Sequence, residues 1–99
     1  MSLRLSLEEY STLCGLVADR DGWKCKHCGL RNNLHVHHII FRSQGGLDEM
    51  ENLVTLCNVC HDAIHRGDLK ITSVTGASGE LFKNFMDVVF ERKEGWKPV

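Results

Sequence analysis

Residues 52–66 read NLVTLCNVCHDAIHR: an asparagine, a short apolar run, a CxxC pair and two histidines four residues apart, in immediate succession. The run Leu53 to Leu56 has the length and branching of a strand or extended segment, and it delivers Cys57. Beyond Cys60 the segment His61 to Arg66 reads as a helix that stops at Gly67, a residue suited to the position just past a helix C-terminus. On that helix His61 and His65 share one face and can grip a single ion. The cysteine pair anchors the start of the helix, so whatever holds the thiols also fixes the direction of His61.

Upstream stands a second pair, Cys25-Lys-His-Cys28, separated from the first by 28 residues. Four thiolates in two CxxC pairs are the donor set of a tetrahedral structural zinc site. Disulfides are the competing reading. Met1 to Tyr10 contains Glu8 and Glu9 where a signal peptide would be apolar, so the expectation is an unexported, cytoplasmic protein whose thiols stay reduced. Gly29 suits the tight turn of a zinc knuckle. His27, between the first two cysteines, is expected to be a solvated surface residue unless it replaces a cysteine as ligand.

Between the two pairs, LHVHHIIF at residues 34–41 is rich in β-branched and aromatic residues and reads as a strand. Ser43 to Gly46 is a loop. Alternation along the strand puts His35 and His37 on one face and His38 on the other. His35 is by default an exposed strand residue, with ligand or phosphate contact as its alternatives. On the N-terminal side, Ser6 and Glu9 form a capping box, and Leu7, Tyr10, Leu13, Cys14 and Val17 recur at helical spacing. An amphipathic helix over residues 7–19 follows, with Cys14 as a core thiol on its apolar stripe, Asp21-Gly22 as its end and Trp23 as a core lid. In the C-terminal third, Leu69 to Val74 alternates like a strand. Leu81, Phe82, Phe85, Met86, Val89 and Phe90 fit a helical face, yet Val88 to Arg92 also fits a strand. Gly76, Ser78 and Gly79 mark a turn between.

A chain of 99 residues, 42% hydrophobic and 25% charged, is one globular domain whose small core calls for a staple. No apolar run is long enough to span a bilayer. With a formal net charge of −1 the chain has no global attraction for nucleic acid, and any such affinity must come from a local basic patch and a bound metal. Lys24, Lys26 and Arg31 cluster near the knuckle as ordinary surface charges. Arg42 and Arg66 bracket the histidines and are candidates for backbone-phosphate contacts.

In order along the chain, CKHC, HVHHI, GG with Asp48, and ENLVTLCNVCHDAIH resemble the zinc-containing, four-cysteine branch of the HNH endonuclease family over residues 23–66. The resemblance implies an α+β fold: a small ββα-metal domain with a four-cysteine zinc knuckle, here with an N-terminal helix and a C-terminal extension over residues 67–99. The implied activity is metal-dependent hydrolysis of DNA phosphodiester bonds, nicking or cleaving with limited sequence preference, leaving 5′ phosphate and 3′ hydroxyl ends. The implied site has His38 as general base, its other ring nitrogen held by a backbone carbonyl of the loop, and Asn52 as the residue bracing that loop. His37 and His61 match metal ligands, and His65 matches a further helix ligand used by some members. Cys25, Cys28, Cys57 and Cys60 match the structural zinc site.

These roles are chemically coherent, since neutral imidazole is the side chain best able to take a proton from water near pH 7. The chain departs from a common family pattern by carrying His37 where an aspartate often stands. Three imidazoles without a carboxylate suit Mn, Co, Ni or Zn better than Mg. A catalytically silent zinc module that binds nucleic acid or a partner protein is the alternative, and membership of a phage-packaging or restriction assembly is a further expectation.

Overall fold

The structure, a computed structural model, describes residues 5–75 and 87–98. Helix α1 spans Leu7–Arg20, opened by the capping box: the Glu9 N–H donates to Ser6 Oγ at 3.1 Å and the Ser6 N–H donates to Glu9 Oε1 at 2.9 Å. Glu8 and Glu9 in its first turn and Arg20 in its last complement the helix dipole. Strand β1 (Leu34–His38) pairs antiparallel with β2 (Leu53–Cys57), placing His37 opposite Val54 and His38 opposite Leu53. Helix α2 (Asn58–Arg66) follows β2 without a break and ends at Gly67, whose φ of 86° is the left-handed conformation of a glycine cap. Strands β3 (Leu69–Thr75) and β4 (Asp87–Arg92) form a second antiparallel pair.

All five residues of β2 are buried. The strand packs against both α1 and α2, which is why LVTLC lacks the polar alternation of a half-exposed strand. The contact with α1 is pinned by an ion pair, with Arg20 Nε 2.8 Å from Asp21 Oδ1 and both side chains almost wholly buried. Arg20 also donates to the carbonyls of Met50 and Leu53, each at 2.6 Å, and Asp21 Oδ2 accepts from the Thr55 N–H at 2.9 Å. A buried pair with its remaining valences satisfied in this way fixes one position of the helix on the hairpin.

Several expectations are corrected here. The strand predicted over residues 34–41 ends at His38, because the Asn52 side chain captures the Ile40 backbone on both its N–H and its C=O and takes the chain out of the ladder. Helix α2 begins at Asn58, so Cys60 lies inside its first turn rather than before it. Trp23 is no lid on the core: it is 55% exposed. Leu7 is 89% exposed, so the apolar stripe of α1 buries at its C-terminal half, at Val17 and Ala18. Cys14 is half-buried rather than enclosed. In the C-terminal third the strand readings at 69–74 and 88–92 hold, and the helical reading fails at Val89 and Phe90, which lie in β4. Leu81, Phe82, Phe85, Met86 and the turn at Gly76, Ser78 and Gly79 lie outside the described residues.

The buried core cluster contains Cys25, Cys57 and Cys60 with Val54, Leu56, Ala63 and Leu69, and β3 and β4 add Ile71, Val74, Val88 and Phe90 at its edge. The core is therefore built around the thiols. No described helix is long and apolar enough to cross a membrane.

Candidate active site and metal centres

The four cysteine sulfurs lie within 4.8 Å of one another. Cys28 Sγ and Cys57 Sγ are 3.6 Å apart, close to the roughly 3.8 Å that tetrahedral Zn–S bonds of about 2.3 Å require. Burial pushes the Cys25 thiol up, but N–H groups of Cys28, Cys57 and His27 outweigh it and hold the thiol below its ordinary range. Cys28 and Cys60 are pushed up, first by burial and then by the neighbouring sulfurs. Thiolates so close cannot all ionise without a dication between them. Geometry and charge both fit structural zinc. Gly29, at φ 81°, donates its N–H to the Cys25 carbonyl at 2.9 Å and closes the knuckle turn as expected.

His27 is half-buried, not solvated, and this corrects the sequence reading. Its ring packs edge-on to Phe90 at 4.9 Å and near Trp96 at 5.9 Å between centroids. Arg92 Nε donates to His27 Nε2 at 2.9 Å, which leaves the ring proton on Nδ1, 3.2 Å from Cys60 Sγ. Burial and the Arg92 charge both lower the His27 pKa, consistent with a neutral ring donating to a thiolate. The spacing of a CxxC motif gives no sign of these contacts, because Cys60 lies in α2, Phe90 and Arg92 in β4, and Trp96 in the chain after it.

The second centre forms where β1 meets α2. Ligand atoms of His37, His61 and His65 lie within 4.8 Å of one another. The Nε2 atoms of His61 and His65 are 3.4 Å apart, the separation that two metal–nitrogen bonds of about 2.0–2.1 Å make at a tetrahedral angle. His37 is 4% exposed, and burial, then the nearby imidazoles, lower its pKa to about 4. Burial and the rings of His65 and His35 likewise lower His61, opposed by Asp62. Both are therefore neutral near pH 7 and free to ligate. Phe41 stacks on His65 at 5.5 Å and meets His37 edge-on at 5.6 Å. His35 stacks on His61 at 5.3 Å but does not belong to the three-imidazole cluster.

His38 points to the other side of β1 yet lines the same cleft of about 210 Å³ as His37, His61, His65, Phe41 and Arg42. Its Nε2 lies 2.7 Å from Asp48 Oδ1. Burial pushes the Asp48 carboxyl up, but hydrogen bonds from Arg42 and His38 outweigh it and hold the group below its usual range. The carboxylate accepts, so the His38 proton sits on Nε2 and the Nδ1 lone pair is free. Tyr10 lies parallel to the His38 ring at 5.9 Å, and Arg42 lies 4.8 Å from the centroid of the Tyr10 ring. The orienting group is thus a carboxylate, where the resemblance implied a backbone carbonyl. Asp48 was legible in the sequence only as the acid after two glycines.

Asn52 is the brace of that loop. Its Oδ1 accepts from the Ile40 N–H at 2.7 Å, and its Nδ2 donates to the carbonyls of Ile40 at 3.0 Å and Leu47 at 2.9 Å. Arg42 has its fork on Asp48, with Nε and Nη2 each 3.0 Å from a carboxylate oxygen. Arg66, just past His65, pairs with Asp68 at 3.1 Å. Both guanidiniums are thus already engaged within the chain.

A model of the HNH endonuclease family matches residues 25–67, the span that carries all four cysteines, the three clustered imidazoles, His38, Asp48 and Asn52. Among curated proteins, the chain is similar to Anaredoxin of Nostoc sp. (strain PCC 7120 / SAG 25.82 / UTEX 2576), 36% identical over 56 residues that make up 56% of this chain and 74% of that protein. No solved structure matches it. The chain belongs to the HNH endonuclease family, in its four-cysteine, zinc-containing branch.

Proposed function

We propose that this protein is a metal-dependent endonuclease that hydrolyses DNA phosphodiester bonds, with the motif core at residues 23–66 and its flanking segments acting as one domain. The observation that carries the reading is the shared cleft: His38, with Nε2 tied to a carboxylate and Nδ1 free, faces the same space as three convergent imidazoles. His37, His61 and His65 would hold a divalent ion, which would supply charge stabilisation for the scissile phosphate and the departing 3′ oxygen. Nδ1 of His38 removes the proton from the attacking water. Asp48 fixes the tautomer that makes this possible and stabilises the imidazolium that results. Asn52 holds the loop carrying Asp48, and Arg42 holds Asp48 itself. An all-nitrogen ligand set favours Mn, Co, Ni or Zn over Mg.

Supercoiled plasmid incubated with the protein and each of these metals tests the reading. The wild type is expected to relax or linearise the plasmid, and His38→Ala to leave it intact. Equal cleavage by both proteins would remove His38 as the base. DNA binding without cleavage by the wild type under every metal would instead support the silent zinc module.

A further inference from the structure

Between α1 and the β1–β2 hairpin lies a second cavity of about 250 Å³, and three unexplained features converge on it. Trp23 forms part of its wall while remaining 55% exposed and adopting a φ of 54°. A bulky residue held in the left-handed region is strained, and such strain persists where the surroundings impose it. Here they do: the indole Nε1 donates to Asp19 Oδ1 at 2.6 Å, and the Trp23 N–H donates to the Ala18 carbonyl at 2.9 Å. The ring is locked in place, and the core gains little from it. Gly15, inside α1, also lines the cavity, and beyond its chain neighbours and the backbone of its own helix no atom lies within 4 Å of the place a Cβ would occupy. Glycine weakens a helix interior, and no close packing here explains it. Thr55 completes the set, its buried hydroxyl lacking a hydrogen-bond partner.

The cavity adjoins the proposed active site. Val36 lines both spaces, and His35, in the cavity wall, stacks on His61 of the three-imidazole cluster. The Trp23 edge is also basic. Arg31 Nη1 donates to the Gly22 carbonyl at 3.2 Å, and the Lys24 side chain lies over Gly22. At about 250 Å³ the cavity is smaller than the roughly 300–1,000 Å³ typical of sites for drug-sized ligands, and it suits a single heterocycle. A rigid exposed aromatic ring flanked by cations is the standard platform for an unpaired base.

We infer that Trp23 and the cavity over Gly15 form a stacking site for one unpaired nucleobase, so that the preferred substrate is DNA with an extrahelical or single-stranded nucleotide beside the cleaved phosphate. The inference rests on the endonuclease reading above. The ring of Trp23 covers the base, the glycine leaves room for it, and Lys24 and Arg31 face its flanking phosphates.

The test uses the zinc-loaded 99-residue chain carrying His38→Ala, with Mn2+ and three labelled oligonucleotides: a perfect duplex, the same duplex with one bulged thymine, and the same duplex with an abasic bulge. The base-bearing bulge should bind about tenfold more tightly than the abasic one, and it should quench tryptophan emission by an amount absent in Trp23→Leu. Trp23→Leu should erase the preference. Gly15→Leu, which fills the cavity and strengthens the helix, should erase it too while melting no lower than the parent. Equal affinity for the thymine and abasic bulges, or a preference unchanged in both variants, overturns the inference. Plasmid cleavage by the wild type alongside either result leaves the endonuclease reading standing. Absence of both cleavage and DNA binding removes the two together.

Discussion

Asp48 carries the most weight of any single residue outside the imidazoles. Its side chain is 2% exposed, accepts from His38 and takes the Arg42 fork on both oxygens. Asp48→Asn keeps the shape, but its amide can donate to His38 Nε2 and drive the ring proton to Nδ1, the wrong tautomer for a base. We expect kcat to fall on the order of 10²-fold or more with KM little changed and bound zinc retained, read by plasmid-nicking kinetics and metal analysis. An unchanged kcat would show that Asp48 does not orient the base. His37 makes a second prediction at this scale. Its pKa of about 4 lies below the ordinary imidazole value, so between about pH 6.5 and 4 the unfolded chain binds more protons than the folded one. Stability from this group is complete above the unfolded value and is lost as the pH falls toward 4. Relative to His37→Gln, the wild type should therefore lose melting temperature across that window. Because both proteins share the thiolate cluster, parallel curves would contradict the assignment.

The element that decides the site is the connection from β1 to β2. Gly46 passes so close to the Ile40 carbonyl that a Cβ would lie 1.7 Å from its oxygen and 2.9 Å from Asn52 Nδ2. Both neighbours belong to the brace, so neither can move without releasing the loop that holds Asp48. Gly46→Ala should destabilise the protein by about 2–4 kcal/mol and depress cleavage strongly while leaving the zinc in place. Calorimetry and metal analysis check this, and a native-like melting temperature with full activity would mean that the loop can relax. The sequence displayed GG and Asn52, but not that they touch. Likewise, SxxE announced α1, whereas the Arg20–Asp21 pair that seats the helix on β2 was invisible because its other partners, Met50, Leu53 and Thr55, are about thirty residues away.

For the molecule as a whole, the thiol cluster sits in the main core and α2, β2 and the β3–β4 pair all converge on it. Folding and zinc binding should then be one event. Cys25→Ser should be largely unfolded by circular dichroism, whereas His37→Ala with His61→Ala should stay folded and retain about one zinc. A fully folded cysteine variant would refute the coupling.

Taken alone, the sequence determined the parts whose signal is local: the two CxxC pairs, the capping box, the i, i+4 histidines, the short strands and the glycine after α2. Short-range geometry sets these, so spacing suffices. Tertiary structure decided what depends on which surfaces meet. It drew His27 into the zinc centre through Arg92, left Trp23 outside the core, separated His35 from the ligand cluster, and supplied a carboxylate rather than a carbonyl to His38. Each of these follows from contacts between segments distant in the chain or folded back through a loop, and no periodicity in the sequence records such contacts.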